Sequence, residues 1–301
     1  MTPQTDRARP FGRVLTAMVT PFTGDGRLDL DGAATLATQL IDEGGNDGLV
    51  ISGTTGESPT TSDDEKDRLL RAVVEAVGDR ATVLAGVGTS DTVHSVHLAR
   101  QAEAAGADGL LVVSPYYNKP PQDGLIAHAR TVADATELPV LLYDIPGRTA
   151  TAFQTETLVR LAEHDRILGV KDAKGDLGAS SAVMARTDLA YYCGEDMLNL
   201  PLLAIGAVGF VSVVGHLVGG RLRELLDAYE CGDVRGARDI HQGLLPVYTG
   251  IFRTQGAILT KAALSLQGRP GGPLRLPLVG ASVEQIDVLR ADLAAGGVKM
   301  D

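Results

Sequence analysis

Eight short runs rich in apolar and β-branched residues recur along the chain, at 14–20, 48–52, 83–87, 109–113, 140–143, 167–171, 189–193 and 209–213. They are nearly continuous in apolar residues and do not alternate with polar ones, the pattern of parallel strands covered on both faces. Between them the period changes to that of amphipathic helices. Ser62-Asp63-Asp64-Glu65 has capping-box spacing and is followed by Leu69, Leu70, Val73, Val74 and Val77 on one helical face. Shorter stripes run through Leu36, Leu40 and Ile41, through Val93, Val96 and Ala99, and through Leu158, Val159 and Leu161. Eight strand-then-helix units in succession predict an α/β fold, a closed (β/α)8 TIM barrel, with an open doubly wound sheet as the alternative.

After the eighth run the strand signal stops. Helical stripes continue through Leu222, Leu225 and Leu226, through Val234, Ala237 and Ile240, through Ile258, Ala262 and Leu266, and over 283–293. A barrel needs one helix after its last strand, so the expected division is a barrel over 1–220 and a C-terminal helical appendage over 221–301. No polar linker separates the two.

The length of 301 residues and the 44% hydrophobic content allow a substantial core. A net charge of −11 argues against a nucleic-acid or anionic-membrane partner, and it requires any anionic substrate to meet a local basic group. No run reaches the roughly 18 to 20 apolar residues of a membrane span, and no apolar signal-peptide core follows the two arginines of the first ten residues. Cys193 and Cys231 lie far apart in a chain that needs no staple, which suits reduced thiols. A cytoplasmic enzyme is the expectation.

In such a barrel the reactive groups stand at the C-terminal ends of the strands. Lys171 closes the sixth run and is the only lysine that ends one, Tyr143 closes the fifth, Thr54 and Thr55 follow the second, and Tyr116 and Tyr117 follow the fourth. Gly194-Glu195-Asp196 follows the seventh. A lysine with the ordinary pKa of about 10.4 is neutral only about once in a few thousand molecules near pH 7, and burial would favour the neutral, nucleophilic amine. The bland reading is an ion pair with Asp172 or Glu57. Gly53-Thr54-Thr55-Gly56 offers N–H donors and hydroxyls for a small carboxylate, or simply a tight turn. Tyr143 could relay protons or fill the core; Arg148 could fork onto a carboxylate or lie free on a loop. Tyr116-Tyr117-Asn118-Lys119-Pro120-Pro121 reads as a stiff projecting loop that could pack on a neighbouring subunit.

An amine, hydroxyls, a phenol and a guanidinium together are what a Schiff-base lyase or aldolase acting on a 2-oxo acid needs. Other chemistries fit less well. His94 and His97 lie on a predicted helix away from the strand ends and suit solvated side chains better than a metal pair. The sequence has no Walker A motif and no G-x-S-x-G elbow, and Gly86-Val87-Gly88 lacks the third glycine of a dinucleotide fingerprint. No metal and no cofactor is implied.

Four ordered motifs carry a resemblance: Gly53-Thr54-Thr55-Gly56-Glu57-Ser58, Ser114-Pro115-Tyr116-Tyr117-Asn118-Lys119-Pro120, Tyr143-Asp144-Ile145-Pro146-Gly147-Arg148-Thr149 and Gly169-Val170-Lys171-Asp172. On them the chain resembles the dihydrodipicolinate synthase family of pyruvate-dependent class I aldolases, from Thr16 to Pro277. The resemblance implies condensation of pyruvate with L-aspartate 4-semialdehyde. It implies an imine on Lys171, a proton relay of Tyr143, Thr54 and Tyr117, and Tyr117 reaching in from a partner subunit. It further implies that Thr54 and Thr55 hold the pyruvate carboxylate, that Arg148 positions the semialdehyde carboxylate, and that Gly194 and Val211 give backbone contacts near the imine. A homodimer or a homotetramer built as a dimer of dimers would be the assembly.

Two stretches depart from the family pattern. Where its lysine-inhibited members use histidines, an asparagine and a glutamate, this chain has Asp63, Lys66, Ser90 and His94, which predicts weak or absent inhibition by lysine. Gln255-Gly256-Ala257-Ile258-Leu259 replaces the usual Asn-Pro-x-Pro segment, so the seating of the C-terminal helices is open at this point. The competing functions are a sister aldolase, such as a sialic-acid lyase or a 2-keto-3-deoxy sugar-acid aldolase, and an idle keto-acid-binding paralogue. Arg148 fits a short carboxylate acceptor better than a sugar chain, and Lys171, Tyr143, Thr54 and Tyr117 argue against an idle binder.

Overall fold

A computed structural model describes residues 8–300. Eight parallel strands, β1 (Val14–Ala17), β2 (Gly48–Ile51), β3 (Thr82–Gly86), β4 (Gly109–Val113), β5 (Val140–Asp144), β6 (Ile167–Asp172), β7 (Ala190–Cys193) and β8 (Gly209–Ser212), pair in sequence order. β8 closes on β1. The predicted (β/α)8 TIM barrel is the architecture found, and the doubly wound alternative falls with the closure. The first run was expected to extend to residue 20, but the chain leaves the sheet after Ala17. The Met18 N–H still bonds the Val50 carbonyl, whereas the Val19 N–H donates to Nε2 of His216.

The helices are α1 (Leu30–Thr38), α2 (Asp63–Val77), α3 (Thr92–Ala104), α4 (Gln122–Ala133), the single turn α5 (Pro146–Thr149), α6 (Thr155–Leu161), α7 (Leu177–Met184), α8 (Asn199–Ala204), α9 (Gly215–Glu230), α10 (Val234–Ile251), α11 (Gly256–Leu266) and α12 (Val283–Ala295). The capping box at the start of α2 is formed in both directions between Ser62 and Glu65, and Leu69, Leu70, Val73 and Val77 are buried. On α3 the buried face is Ser95, Leu98, Ala99 and Ala102. Val93, expected on that face, points to solvent, because the helix packs through its small residues.

Strand pleating sorts the core into two layers. Leu15, Val50, Leu84, Leu111, Leu141, Tyr143, Tyr192 and Val211 fill the barrel interior. Val14, Leu49, Val83, Leu110, Leu142 and Phe210 face the helices. At the N-terminal end Phe11 plugs the barrel; its N–H donates to the Tyr192 hydroxyl, which in turn donates to the Gly12 carbonyl. The reactive strand ends therefore stand on a filled barrel.

After the barrel, α10 and α11 pack on α9 and on each other, and α12 packs on α10 and α11. The Gln255 side chain accepts from the Ala257 N–H at 2.7 Å and caps α11. Most of α11 is buried, including Ile258, Leu259, Ala263 and Leu264. The segment that departs from the family pattern thus seats its helix by a side-chain cap. No helix among the described residues is long and apolar enough to cross a membrane.

Candidate active site

Lys171 and Tyr143 meet through a register shift. β5 and β6 pair Val140 with Ile167, then Leu141 with Gly169, so Leu168 is an extra residue on β6. Tyr143 consequently pairs with Lys171 and Asp144 with Asp172. Without the bulge, Tyr143 would stand opposite Val170 and Lys171 opposite Asp144, on the helix-facing side. With it, the lysine turns into the barrel mouth.

Lys171 is only 4% exposed, and its Nζ lies 4.2 Å from the centroid of the Tyr143 ring. Neither carboxylate considered as its partner takes it. Glu57 is paired with Lys261, and Asp172 accepts from the Lys174 N–H at 2.8 Å, the Gly175 N–H at 3.4 Å and the Ser180 hydroxyl. Burial pushes the Lys171 amine down from 10.5 to about 8; Asp196 pulls it up and Arg148 pushes it further down. Gly194 leaves the lysine its room, because a Cβ there would lie 2.9 Å from both Cγ and Cε of Lys171.

Burial likewise pushes the Tyr143 phenol up to about 12, although Arg148 and a hydrogen bond with the Thr54 side chain favour the phenolate. The group therefore keeps its proton at neutral pH and can give it to the alkoxide oxygen that forms when an amine adds to a carbonyl. Thr54, Tyr143, Arg148, Tyr116 and Tyr117 all line one cavity of about 370 Å³. Thr55, next to Thr54 on the same loop, is buried and does not line that cavity, and Val211 sits in the barrel interior with Tyr143 and Leu111. Tyr117 is 93% exposed, at φ +73°. Among the described residues nothing buries its phenol.

Three arrangements have no local signature in the sequence, although Asp196 itself stands out there as a strand-end carboxylate. Ser52 lines the cavity at φ +57°, and a Cβ on Gly86 would lie 2.5 Å from its carbonyl oxygen, while one on Gly88 would lie 2.5 Å from the Val113 nitrogen, so the two glycines allow close approach of the end of β3 to its neighbours on either side. Asp196 fastens the top of β7 to that of β8: it accepts from the Ser212 hydroxyl at 2.5 Å, Asn199 Nδ2 at 3.3 Å, and the Val213 and Val214 N–H groups at 3.0 and 3.1 Å. Behind β5, Asp144 pairs with Lys174 at 3.3 Å, and burial pushes its carboxyl up to about 6. His94 bonds Asp63 through Nε2. Among the described residues no group of three His, Cys, Asp or Glu side chains is placed to hold a metal ion.

A parallel barrel with a desolvated lysine at its C-terminal mouth, faced by a phenol and a threonine hydroxyl, defines a class I, Schiff-base type of lyase site. Residues 10–295 match the model of the dihydrodipicolinate synthetase family, and the chain belongs to that family. It is 70% identical over 291 residues to 4-hydroxy-tetrahydrodipicolinate synthase of Acidothermus cellulolyticus, covering 97% of this chain and 94% of that one. It is 67% identical over 299 residues to 4-hydroxy-tetrahydrodipicolinate synthase 2 of Streptomyces coelicolor, covering 99% and 98%. Among solved structures it superposes on the dihydrodipicolinate synthase of Cyanidioschyzon merolae with lysine bound, at a TM-score of 0.94 and 39% identity over 96% of this chain and 99% of that one.

The Lys171 amine dictates a pH profile. Only the neutral amine attacks a carbonyl, so the rate of imine formation with a 2-oxo acid, followed as cyanoborohydride-trapped mass, rises about tenfold per pH unit well below the amine's pKa. It levels off above about 8. A rate still climbing tenfold per unit beyond pH 9 or so would show an amine with the solvent value.

Proposed function

We propose that this protein condenses pyruvate with L-aspartate 4-semialdehyde to give 4-hydroxy-tetrahydrodipicolinate, the step that enters lysine and diaminopimelate biosynthesis, with Lys171 as the covalent nucleophile. The observation that carries the reading is the Lys171 amine, buried against Tyr143 with neither Glu57 nor Asp172 available to pair with it. Neutral Lys171 attacks C2 of pyruvate, protons pass through Tyr143, Thr54 and Tyr117, and water leaves as the protonated imine forms. The imine is an electron sink; the methyl carbon loses a proton, and the resulting enamine attacks the aldehyde carbon of the second substrate. The amino group of that substrate then attacks the imine carbon, closing the ring and returning the Lys171 amine. No group beyond the protein and its substrates is required.

In this scheme Thr54 and Thr55 hold the pyruvate carboxylate by hydroxyl and N–H donors. Arg148, exposed on α5 and lining the cavity, takes the carboxylate of the semialdehyde. Gly194 and Val211 shape the space around the imine. In a chain of net charge −11, Arg148 is the local cation that an anionic acceptor needs. We read residues 1–220 and 221–301 as barrel and appendage, with α9 running across that division, and the cell interior as the place of work. The exposed phenol of Tyr117 suits a dimer in which each subunit completes its partner's relay, alone or paired into a tetramer.

A coupled assay that follows the cyclic product by NADPH oxidation tests this. Turnover needs both substrates; Lys171→Ala abolishes it, and Tyr117→Phe lowers it at least about tenfold. Mixing the two variants raises the activity above that of either alone, because one mixed site then has both Lys171 and a partner's Tyr117. Near-normal turnover by Lys171→Ala contradicts the mechanism, and a mixture no better than its components contradicts the shared site.

Within the set Asp63, Lys66, Ser90 and His94, three side chains are engaged internally and Ser90 is tied by its backbone carbonyl. His94 bonds Asp63, Lys66 Nζ donates to the Thr61 carbonyl at 2.6 Å, and Asn118 takes the Ser90 carbonyl at 2.8 Å. A free lysine would have to displace these bonds, so added L-lysine leaves the steady-state rate essentially unchanged. Inhibition in the roughly millimolar range or below would refute this.

A further inference from the structure

A buried ion pair lies outside the mechanism just described. Lys261 on α11 places Nζ 2.6 Å from Oε1 of Glu57, and both side chains are almost wholly enclosed, at 3% and 1% exposure. Nζ also donates to the Pro273 carbonyl at 2.8 Å and lies 4.4 Å from the centroid of the Phe22 ring. The other carboxylate oxygen of Glu57 accepts from the Arg275 N–H at 2.9 Å. The Arg275 guanidinium lies 4.2 Å from the centroid of the same Phe22 ring, forks onto Glu65 at 2.8 and 2.6 Å, and donates to the Thr60 carbonyl at 2.8 Å. Two residues of the C-terminal region therefore grip one loop of the barrel mouth.

That loop carries the threonines. Glu57 sits in the left-handed region, at φ +56° and ψ +36°, a conformation that disfavours any residue with a Cβ unless its surroundings hold it. Its N–H bonds the Thr54 carbonyl at 3.2 Å, and the Gly56 N–H bonds the Gly53 carbonyl at 3.1 Å. The backbone conformation of Glu57 thus fixes where Thr54 lies relative to Tyr143. A buried ion pair is weak support for stability, since desolvating two charges offsets much of their attraction. What the pair does supply is a defined position for the carboxylate, and through it for the loop. Lys261 and Arg275 do not line the cavity.

We propose that Lys261 and Arg275 are positioning residues that clamp Glu57 so that Thr54 and Thr55 present their donors to the pyruvate carboxylate; the C-terminal helical region thereby acts on a site it does not touch. The proposal rests on the reading of that loop as the pyruvate carboxylate cradle. It places the effect on pyruvate binding and leaves the chemistry on Lys171 intact.

Lys261→Met keeps the length of the stem and removes the charge. We expect the KM for pyruvate to rise at least about tenfold, with kcat within about threefold and the KM for the semialdehyde within about twofold of the starting protein. The pyruvate concentration that half-saturates borohydride trapping on Lys171 shifts by the same factor, and Lys261→Arg recovers part of the loss. The double variant Glu57→Gln/Lys261→Met leaves no lone buried charge, and it carries the test if the single variant does not fold. It regains thermal stability but retains the raised pyruvate KM. A folded single or double variant with pyruvate KM and trapping midpoint within about twofold of the starting protein overturns the proposal, whatever its thermal stability. Starting protein with no saturable response to pyruvate overturns instead the reading of the loop on which the proposal stands.

Discussion

Everything at the mouth of this barrel depends on keeping an amine out of water. Moving the Lys171 pKa from 10.5 to about 8 means that folding with the charged form costs roughly 3 kcal/mol at neutral pH. Because the folded value is the lower one, the penalty is full below about pH 8 and fades as pH rises towards the unfolded value; stability gained from this group increases across that window. A marginally stable protein carries such a cost only where the rest of the fold is well satisfied. The Leu168 bulge turns the side chain inward, Gly194 leaves it room, and the Tyr143 ring supplies an electron-rich face for whatever charge remains.

The acidic residues near the mouth are managed in the opposite sense. Asp172, Asp196 and Glu57 are buried, and each is held by hydrogen bonds or a cation of its own. None is left to neutralise Lys171 by direct contact, yet Asp196 and Glu195 keep the amine from falling further. Non-glycine residues with positive φ gather at the same place: Ser52, Glu57, Tyr117 and Ala150 all follow the C-terminal ends of strands or flank the cavity. Backbone strain is thus concentrated where groups have to be aimed, over a barrel whose opposite end is closed by Phe11 and Tyr192.

The sequence made the strands legible because both of their faces are buried, so each appears as an unbroken apolar run such as Gly109–Val113. It also exposed the reactive residues, since a lysine or tyrosine that ends such a run has little reason to be there for packing. What it did not show depends on geometry rather than composition. The bulge at Leu168 has no residue signature, yet it decides whether Lys171 shares the inward face with Tyr143 or turns to the helices. Val93 misled because α3 buries Ser95 and alanines instead. Gln255 could be noted as a departure, but its role as the cap of α11 required its side-chain direction. Lys261 and Arg275 are more than 200 positions from Glu57, and nothing in their local pattern points to it.

The most direct test of a buried amine nucleophile is to locate the covalent bond. The protein is reduced with borohydride in the presence of pyruvate, digested, and its lysine peptides are examined by mass spectrometry. The account predicts one adduct, on the peptide that contains Lys171, with Lys174, Lys119 and Lys66 unmodified. Absence of any adduct, or modification of an exposed lysine such as Lys119 at a comparable level, would contradict it.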